Sequence, residues 1–379
     1  MARRPHNLLF SRSLQRSLTR TLGAITQAMV RVGVKAIRKP VAKRKPVAKR
    51  KPATIPRRVS PSVDTSSGLL RPGMVISASG ARRYQLYKPP GVKRGERLPL
   101  VVMLHGCGQD GAAIAASSRM NSIAARERFM VLDPQQDRMA NVQGCWNWFD
   151  TRNGRAQREA DAIAAAISQV CLTQPVDANR IAIAGFSAGA GMAALLASRQ
   201  PGRFKAVVMH SGIGPGVAQS SATALSAMRG RRAGGPFLPV AGDGQLPALL
   251  VIQGTADPVV ARSNGARAAQ RWAAHAGAAV NTAAEAAVKA SPPRTVQRGK
   301  RRSATVTDFR VGTRSGGRIV ATLCEVNGLG HAWSGGAPGL PYSDPTGPDA
   351  SRLVWAFAAR QFALGLMPVA RANTGSIDH

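Results

Sequence analysis

The sequence predicts an α/β domain, with a mostly parallel central sheet covered by helices on both faces, preceded by a basic N-terminal extension. Two observations carry this. Short runs that are apolar throughout, such as residues 98–104 and 248–252, alternate with longer segments of helical periodicity. A strand with no polar face is one buried on both sides, as in a parallel sheet with crossover helices. The charge is also uneven. The formal net charge is +35, and the chain has no acidic residue before Asp64, so the first stretch has a composition unlike the rest.

Residues 1–38 form a first segment. Within it Leu14, Leu18, Leu22, Ile25, Met29 and Val32 recur every three or four positions, with Arg12, Arg16, Arg20, Arg31 and Lys35 on other faces. This basic amphipathic pattern suits either an anionic lipid or polymer-granule surface or docking on the chain's own domain or a partner. Residues 39–67 follow as a linker in which KPVAKR occurs twice in tandem, at 39–44 and 45–50. Regular proline removes backbone donors and the like charges repel, so an extended, disordered tether is expected. The anionic partners that residues 1–58 would draw are nucleic acid, polyphosphate or acidic membrane, with steep salt dependence. No aromatic residue interleaves the repeat, which argues against base stacking. No apolar run approaches the ~20 residues of a membrane-spanning helix, so no transmembrane segment is expected. The apolar stretch 21–34 is interrupted by Gln27 and Arg31 and lacks a small-residue cleavage site, so no export signal is read either.

The catalytic domain is expected over 68–366, with a flexible tail at 367–379. Arg83 to Tyr87 alternates polar and apolar as an edge strand does, and Pro89, Pro90 and Gly91 break it. The run 98–104 is a buried strand ending in His105, Gly106, Cys107, Gly108 and Gln109. Residues 129–132 form another, closed by Asp133 and Pro134, and a helix at 156–170 leads to the apolar run 180–184. Further strands are expected at 206–209, 248–252 and 319–326, and helices at 191–199, 262–276 and 349–362. Two stretches fit the rhythm poorly. Residues 230–246 are Gly- and Pro-rich and read as a loop, and 283–302 carries SPPRTVQRGKRR, a second basic, proline-bearing insertion.

Chemistry gathers at Gly185, Phe186, Ser187, Ala188 and Gly189, a G-x-S-x-G string between an apolar run and an alanine-rich helix. Flanking glycines let a serine sit on a sharp strand-to-helix turn with its hydroxyl exposed. A serine hydroxyl needs a base to take its proton, and the base needs a third group to fix its tautomer. In an α/β-hydrolase sheet these follow in the order Ser, Asp or Glu, His, each at the carboxyl end of a strand. Asp257, after the strand 248–252, and His331, after the strand 319–326, supply that order. The oxyanion of acyl transfer would be met by the amide of Ala188 and by that of Cys107 or a neighbour, with His105 placed to orient the turn. The four cysteines, Cys107, Cys145, Cys171 and Cys324, are too widely spaced for a zinc ribbon or a C-x-x-C pair, so no metal and no cofactor is expected.

Five ordered motifs, LHGCGQ at 104–109, CWNWF at 145–149, GFSAGAGM at 185–192, GTADPVV at 254–260 and HAWSGG at 331–336, together resemble the polyhydroxybutyrate depolymerase family of serine esterases, relatives of feruloyl and acetylxylan esterases. The closing YSDPTGPDAS at 342–351 is similar to that family's final segment. The resemblance implies an α/β-hydrolase that attacks carboxylic esters through Ser187, His331 and Asp257. Its substrates would be hydroxyalkanoate oligomers or polymer, or, as an alternative, feruloyl or acetylxylan-type esters. It also implies that His105 and Cys107 belong to the oxyanion hole, that Cys107 and Cys145 can pair as a disulfide beside the site, and that Trp146 and Trp333 line the acyl pocket. Secreted polymer depolymerases of that family carry a signal peptide and usually a separate substrate-binding domain, and neither is read in this sequence. A polyanion- or membrane-associating protein with a degenerate hydrolase domain is the reading from another class.

Overall fold

The computed structural model describes residues 68–366, apart from 233, 236–244, 279–287 and 313–316. The expected amphipathic segment 1–38, linker 39–67 and tail 367–379 lie outside the described residues, as does most of the loop expected at 230–246. A hairpin opens the domain: β1 (Leu69–Ser77) pairs antiparallel with β2 (Gly80–Lys88). The parallel heart follows, from β3 (Leu98–Leu104), β4 (Met130–Pro134), β5 (Val176–Phe186), β6 (Ala206–His210) and β7 (Ala248–Gly254). After β8 (Lys289–Ala290), β9 (Arg294–Val296) and β10 (Ala304–Val311), β11 (Arg318–Val326) returns to pair parallel with β7. The sheet has 11 strands in the order β1-β2-β4-β3-β5-β6-β7-β11-β10-β8, with β9 also paired to β10.

The apolar runs are buried for the reason the sequence suggested. All of β3, β4, β6 and β7 is buried. Side chains alternate across a strand, so Leu98, Leu100, Val102 and Leu104 pack into one core and Val101 and Met103 into another on the opposite face. The first core is closed by the helices α3 (Arg155–Thr173), α4 (Ala188–Arg199) and α6 (Ser263–Ala278); the second is closed by α1 (Gly111–Ser118), α2 (Met120–Glu127) and α7 (Ala350–Leu366). A short helix α5 (Ser221–Met228), begun by a capping box at Ser220, follows β6.

Two sequence expectations need correction. Arg83 to Tyr87 is not an edge strand: β2 is bonded to β1 on one side and to β4 on the other. The edge is β1, whose Leu69, Leu70, Met74 and Ile76 stand exposed. The strand at 129–132 is not closed by Asp133 and Pro134, because both continue the ladder opposite Gln85 and Tyr84. The basic insertion at 283–302 folds in part as β8 and β9, which extend the sheet beyond β10.

Candidate active site

The site lies at the carboxyl ends of β3, β5, β7 and β11. At the end of β5, Ser187 takes φ 55° and ψ −119° as the residue before α4, a conformation that costs a non-glycine residue roughly 1–3 kcal/mol. The two flanking glycines make that turn feasible. A Cβ on Gly185 would run into the carbonyl of Gly189, and one on Gly189 would run into the carbonyls of Leu104 and His105. The elbow is thus pressed against the end of β3, and its amide is held by Ser187 N donating to the carbonyl of His210 at 2.9 Å.

The loops after β7 and β11 are tied together. Thr255 N donates to Val326 O at 3.0 Å, Ala256 N to Leu329 O at 3.1 Å and Gly328 N to Thr255 Oγ1 at 2.9 Å. This brings Asp257 and His331 onto one line with the serine. His331 Nδ1 lies 2.9 Å from Asp257 Oδ2, and His331 Nε2 lies 3.0 Å from Ser187 Oγ. The carboxylate is anchored from behind, where Val259 N and Val260 N each donate to Asp257 Oδ1 at 2.9 Å. Burial pushes this carboxyl's pKa up, but the hydrogen bond and charge of His331 with the two amides outweigh it and hold the carboxyl below its ordinary range. An ionised Asp257 keeps the imidazole proton on Nδ1, so Nε2 is free to accept from the serine.

Ser187, Ala188 and Cys107 line one cavity of about 380 Å³. As the first residue of α4, Ala188 has an N–H with no intrahelical partner, and no described residue accepts the N–H of Cys107. Both amides are therefore available to an oxyanion. His105 is not a donor to it. The ring is fully buried, its Nε2 accepts from Gln136 N at 3.1 Å, and its Nδ1 donates to Gly106 O at 2.9 Å. It holds the turn after β3, as the sequence allowed.

Cys107 and Cys145 are joined by a disulfide, while Cys171 and Cys324 are free. The bridge ties the turn carrying the Cys107 amide to the loop carrying Trp146. Replacing both by serine is expected to cost about 2–4 kcal/mol of stability, read as a lower thermal midpoint, and to reduce ester turnover as the amide loses its anchor. Unchanged midpoint and turnover would contradict this role for the bridge.

Of the two tryptophans expected at the pocket, only Trp146 lines the cavity, and its indole N–H donates to His105 O at 3.0 Å. Trp333 does not. It is buried behind the triad, with its indole N–H donating to Ser351 Oγ at 3.1 Å and its ring stacked on His210. The missed lining is Trp148, Phe149, Met139, Val142, Ile213 and Met228. CWNWF held part of that signal, but the loop between Asp137 and Gly144 gave none, since which side of a loop faces a cavity is set by tertiary packing. His210 was also missed. Its Nε2 accepts from Ser334 N at 3.1 Å and its Nδ1 donates to Ser211 Oγ at 3.1 Å, so it braces the loop that presents His331.

Burial pushes the pKa of His105 down to about 4 and that of His210, which also feels the charge of His331, down to about 3. Below pH 6.5 the unfolded chain takes up protons on both that the native state does not, so their contribution to stability is lost as pH falls from 6.5 toward 4. Asp133 acts in the opposite sense. It is buried with no partner for either carboxylate oxygen, and burial raises its pKa well above 3.8, so its contribution is present at low pH and lost as pH rises. Two histidines against one carboxyl leave proton uptake on unfolding near zero at pH 6.5 and bring it to about one near pH 5, where the slope approaches roughly 1.4 kcal/mol per pH unit. The urea midpoint is accordingly expected to drop between pH 6.5 and 5, and a flat or rising midpoint would contradict the buried neutral pair. Among the described residues no group of acidic, histidine and cysteine side chains could hold a metal ion, and no helix is long and apolar enough to cross a membrane.

Comparison with known proteins bears on the family and the fold. The family model described as Esterase PHB depolymerase matches residues 82–297, more than half of the chain, and spans both Ser187 and Asp257. The chain is similar to a poly(3-hydroxyalkanoate) depolymerase C of Paucimonas lemoignei, with 36% identity over 107 residues that cover 28% of this chain and 26% of the relative. It is similar to a poly(3-hydroxybutyrate) depolymerase of Ralstonia pickettii, with 22% identity over 271 residues that cover 66% of this chain and 51% of the relative. The matches thus span about a quarter and about half of the lengths of these relatives. Among solved structures, an acetyl xylan esterase from Aspergillus awamori shares the fold, with TM-score 0.51 and 18% identity, covering 70% of this chain and 94% of that one. The chain belongs to the Esterase PHB depolymerase family and is built on the α/β-hydrolase fold.

Proposed function

We propose that the chain hydrolyses carboxylic esters of the hydroxyalkanoate type through an acyl-enzyme on Ser187. The observation that carries this reading is the continuous relay from Asp257 through His331 to Ser187, opening on an apolar cavity beside two free amides. Ser187 Oγ attacks the acyl carbon while its proton passes to His331 Nε2, and the oxyanion is held by the amides of Cys107 and Ala188. The tetrahedral intermediate collapses, the alcohol leaves with the proton from His331, and Ser187 is acylated. Water then repeats the sequence in the acyl-enzyme: His331 takes its proton, the carboxylic acid departs and Ser187 regains its hydrogen. Asp257 stabilises the imidazolium at each step.

A second reading has one observation in its favour. Trp146, Trp148 and Phe149 give the cavity an aromatic wall, which suits an aryl acyl group as well as an aliphatic one. A relative named as a feruloyl esterase fits that alternative, and one named as an acetylxylan esterase fits an ester with a small acyl group. The test is a panel on the full chain that compares 3-hydroxybutyrate oligomers, polymer granules, feruloyl esters and acetylated xylan by kcat/KM. The highest value on the oligomers supports the first reading, and the highest on feruloyl or acetyl esters replaces it. Binding of nucleic acid or acidic vesicles through residues 1–58 is a separate proposal, expected to vanish when those residues are removed while ester turnover remains.

A further inference from the structure

A second cavity, of about 610 Å³, is larger than the one at Ser187 and shares no lining residue with it. It lies on the α7 face of the sheet. Its floor is apolar, made by Leu250 of β7 and Val306 of β10 with Leu353 and Phe357 of α7. Its rim is basic. The insertion that the sequence set apart supplies Arg294, Arg298, Arg301 and Arg302, and α7 supplies Arg352 and Arg360. Arg119, at the start of α2, completes the ring.

Seven arginines thus meet only two carboxylates in the lining, Asp308 and Asp349. Those carboxylates are already engaged. Asp308 takes Arg294 at 2.7 Å, and Asp349 takes Arg119 at 3.1 Å and Arg352 at 3.7 Å. Arg302 is paired with Asp344 at 3.2 Å, and Arg301 donates to the carbonyl of Gly347 at 2.8 Å. Arg298 and Arg360 form no ion pair among the described residues. Arginines scattered on a convex face are ordinary solvated charge. Here they converge on a concavity with low-dielectric walls, which concentrates a positive potential that an anion would relieve. Guanidinium groups match carboxylate and phosphate oxygens in pairs, and the apolar floor offers a hydrocarbon chain a place out of water.

We propose that this cavity binds an amphiphilic anion, a single aliphatic chain ending in a carboxylate or phosphate, with the chain on Leu250, Val306 and Phe357 and the head between Arg298 and Arg360. The basic insertion, which contributes nothing to the triad, then has a function: it builds one wall of a binding site remote from the ester chemistry.

The test is calorimetric titration of the full chain with decanoate and with decyl phosphate, beside decanol and inorganic phosphate, and with the paired variant Arg298→Glu and Arg360→Glu. The fold of the variant is checked by its ligand-free thermal midpoint, since both side chains are exposed and unpaired. Both amphiphiles should bind the parent chain, the two partial ligands each about tenfold or more weaker, and the variant should lose about tenfold or more for each amphiphile. The stronger of decanoate and decyl phosphate identifies the head group. Equal affinity of parent and variant would overturn the proposal, since the amphiphile would then occupy the Ser187 cavity or another surface. Met139→Ser is the converse control, and a loss in that variant but not in the arginine pair overturns the proposal as well. If a single-stranded oligonucleotide weakens with the arginine pair while decanoate and decyl phosphate do not, the groove tracks a polyanion and the amphiphile is excluded.

Discussion

Replacing Ser187 by alanine is expected to lower turnover of p-nitrophenyl butyrate by about a millionfold with the protein still folded, the scale seen when a triad nucleophile is removed. The size follows from the geometry. Without Oγ no described residue hydrogen-bonded to His331 Nε2 can form an acyl bond, and the residual rate is what the Cys107 and Ala188 amides and the cavity give to attack by water. Alanine removes the cavity-lining hydroxyl without filling the cavity, so substrate binding should change little. A variant that keeps more than about a hundredth of parent turnover would place the nucleophile elsewhere.

Asp257→Asn carries the second largest expected effect, about ten-thousandfold in kcat. The carboxylate now accepts from Nδ1 of His331 at 2.9 Å and is itself held by the amides of Val259 and Val260. Those amides stay in the variant and continue to need an acceptor oxygen, so the new side chain keeps its oxygen toward them and turns its NH₂ group toward His331. The imidazole then answers with its proton on Nε2, the wrong nitrogen for accepting from Ser187. A loss in kcat with KM little changed is the signature of that tautomer change. A loss confined to KM would make Asp257 a structural residue of the loop.

Much of this is legible in the sequence because it rests on local or ordered signals. The apolar runs at 98–104 and 248–252 are β3 and β7 at nearly the expected bounds, since a strand buried on both faces leaves no polar residue to blur it. Ser187, Asp257 and His331 are identifiable from their order after strands, and the pairing of β7 with β11 brings the last two together. What the sequence conceals depends on packing. The edge strand β1 bears exposed leucines and a glycine rather than an alternating pattern, and the alternation that suggests an edge belongs to its hairpin partner. Ala304–Val311 alternates only in two pieces, with the phase broken at Thr307 and Asp308 near a register shift, and it follows a basic, proline-bearing stretch that reads as an insertion; both hide β10. Trp146 and Trp333 look alike in sequence, and only their hydrogen bonds separate them: one donates to the turn after β3 at the cavity wall, the other to Ser351 behind the triad. His210 is invisible until the loop that it braces has a place in space.

Every step of the proposed chemistry depends on Ser187 being the group that is acylated. Treating the full chain with an organophosphonate probe and mapping the adduct by peptide mass spectrometry tests that directly. One adduct is expected, on Ser187, rising in step with the loss of ester turnover and absent from the Ser187→Ala variant. Loss of turnover with Ser187 unmodified, or a stoichiometric adduct on another residue, would contradict it.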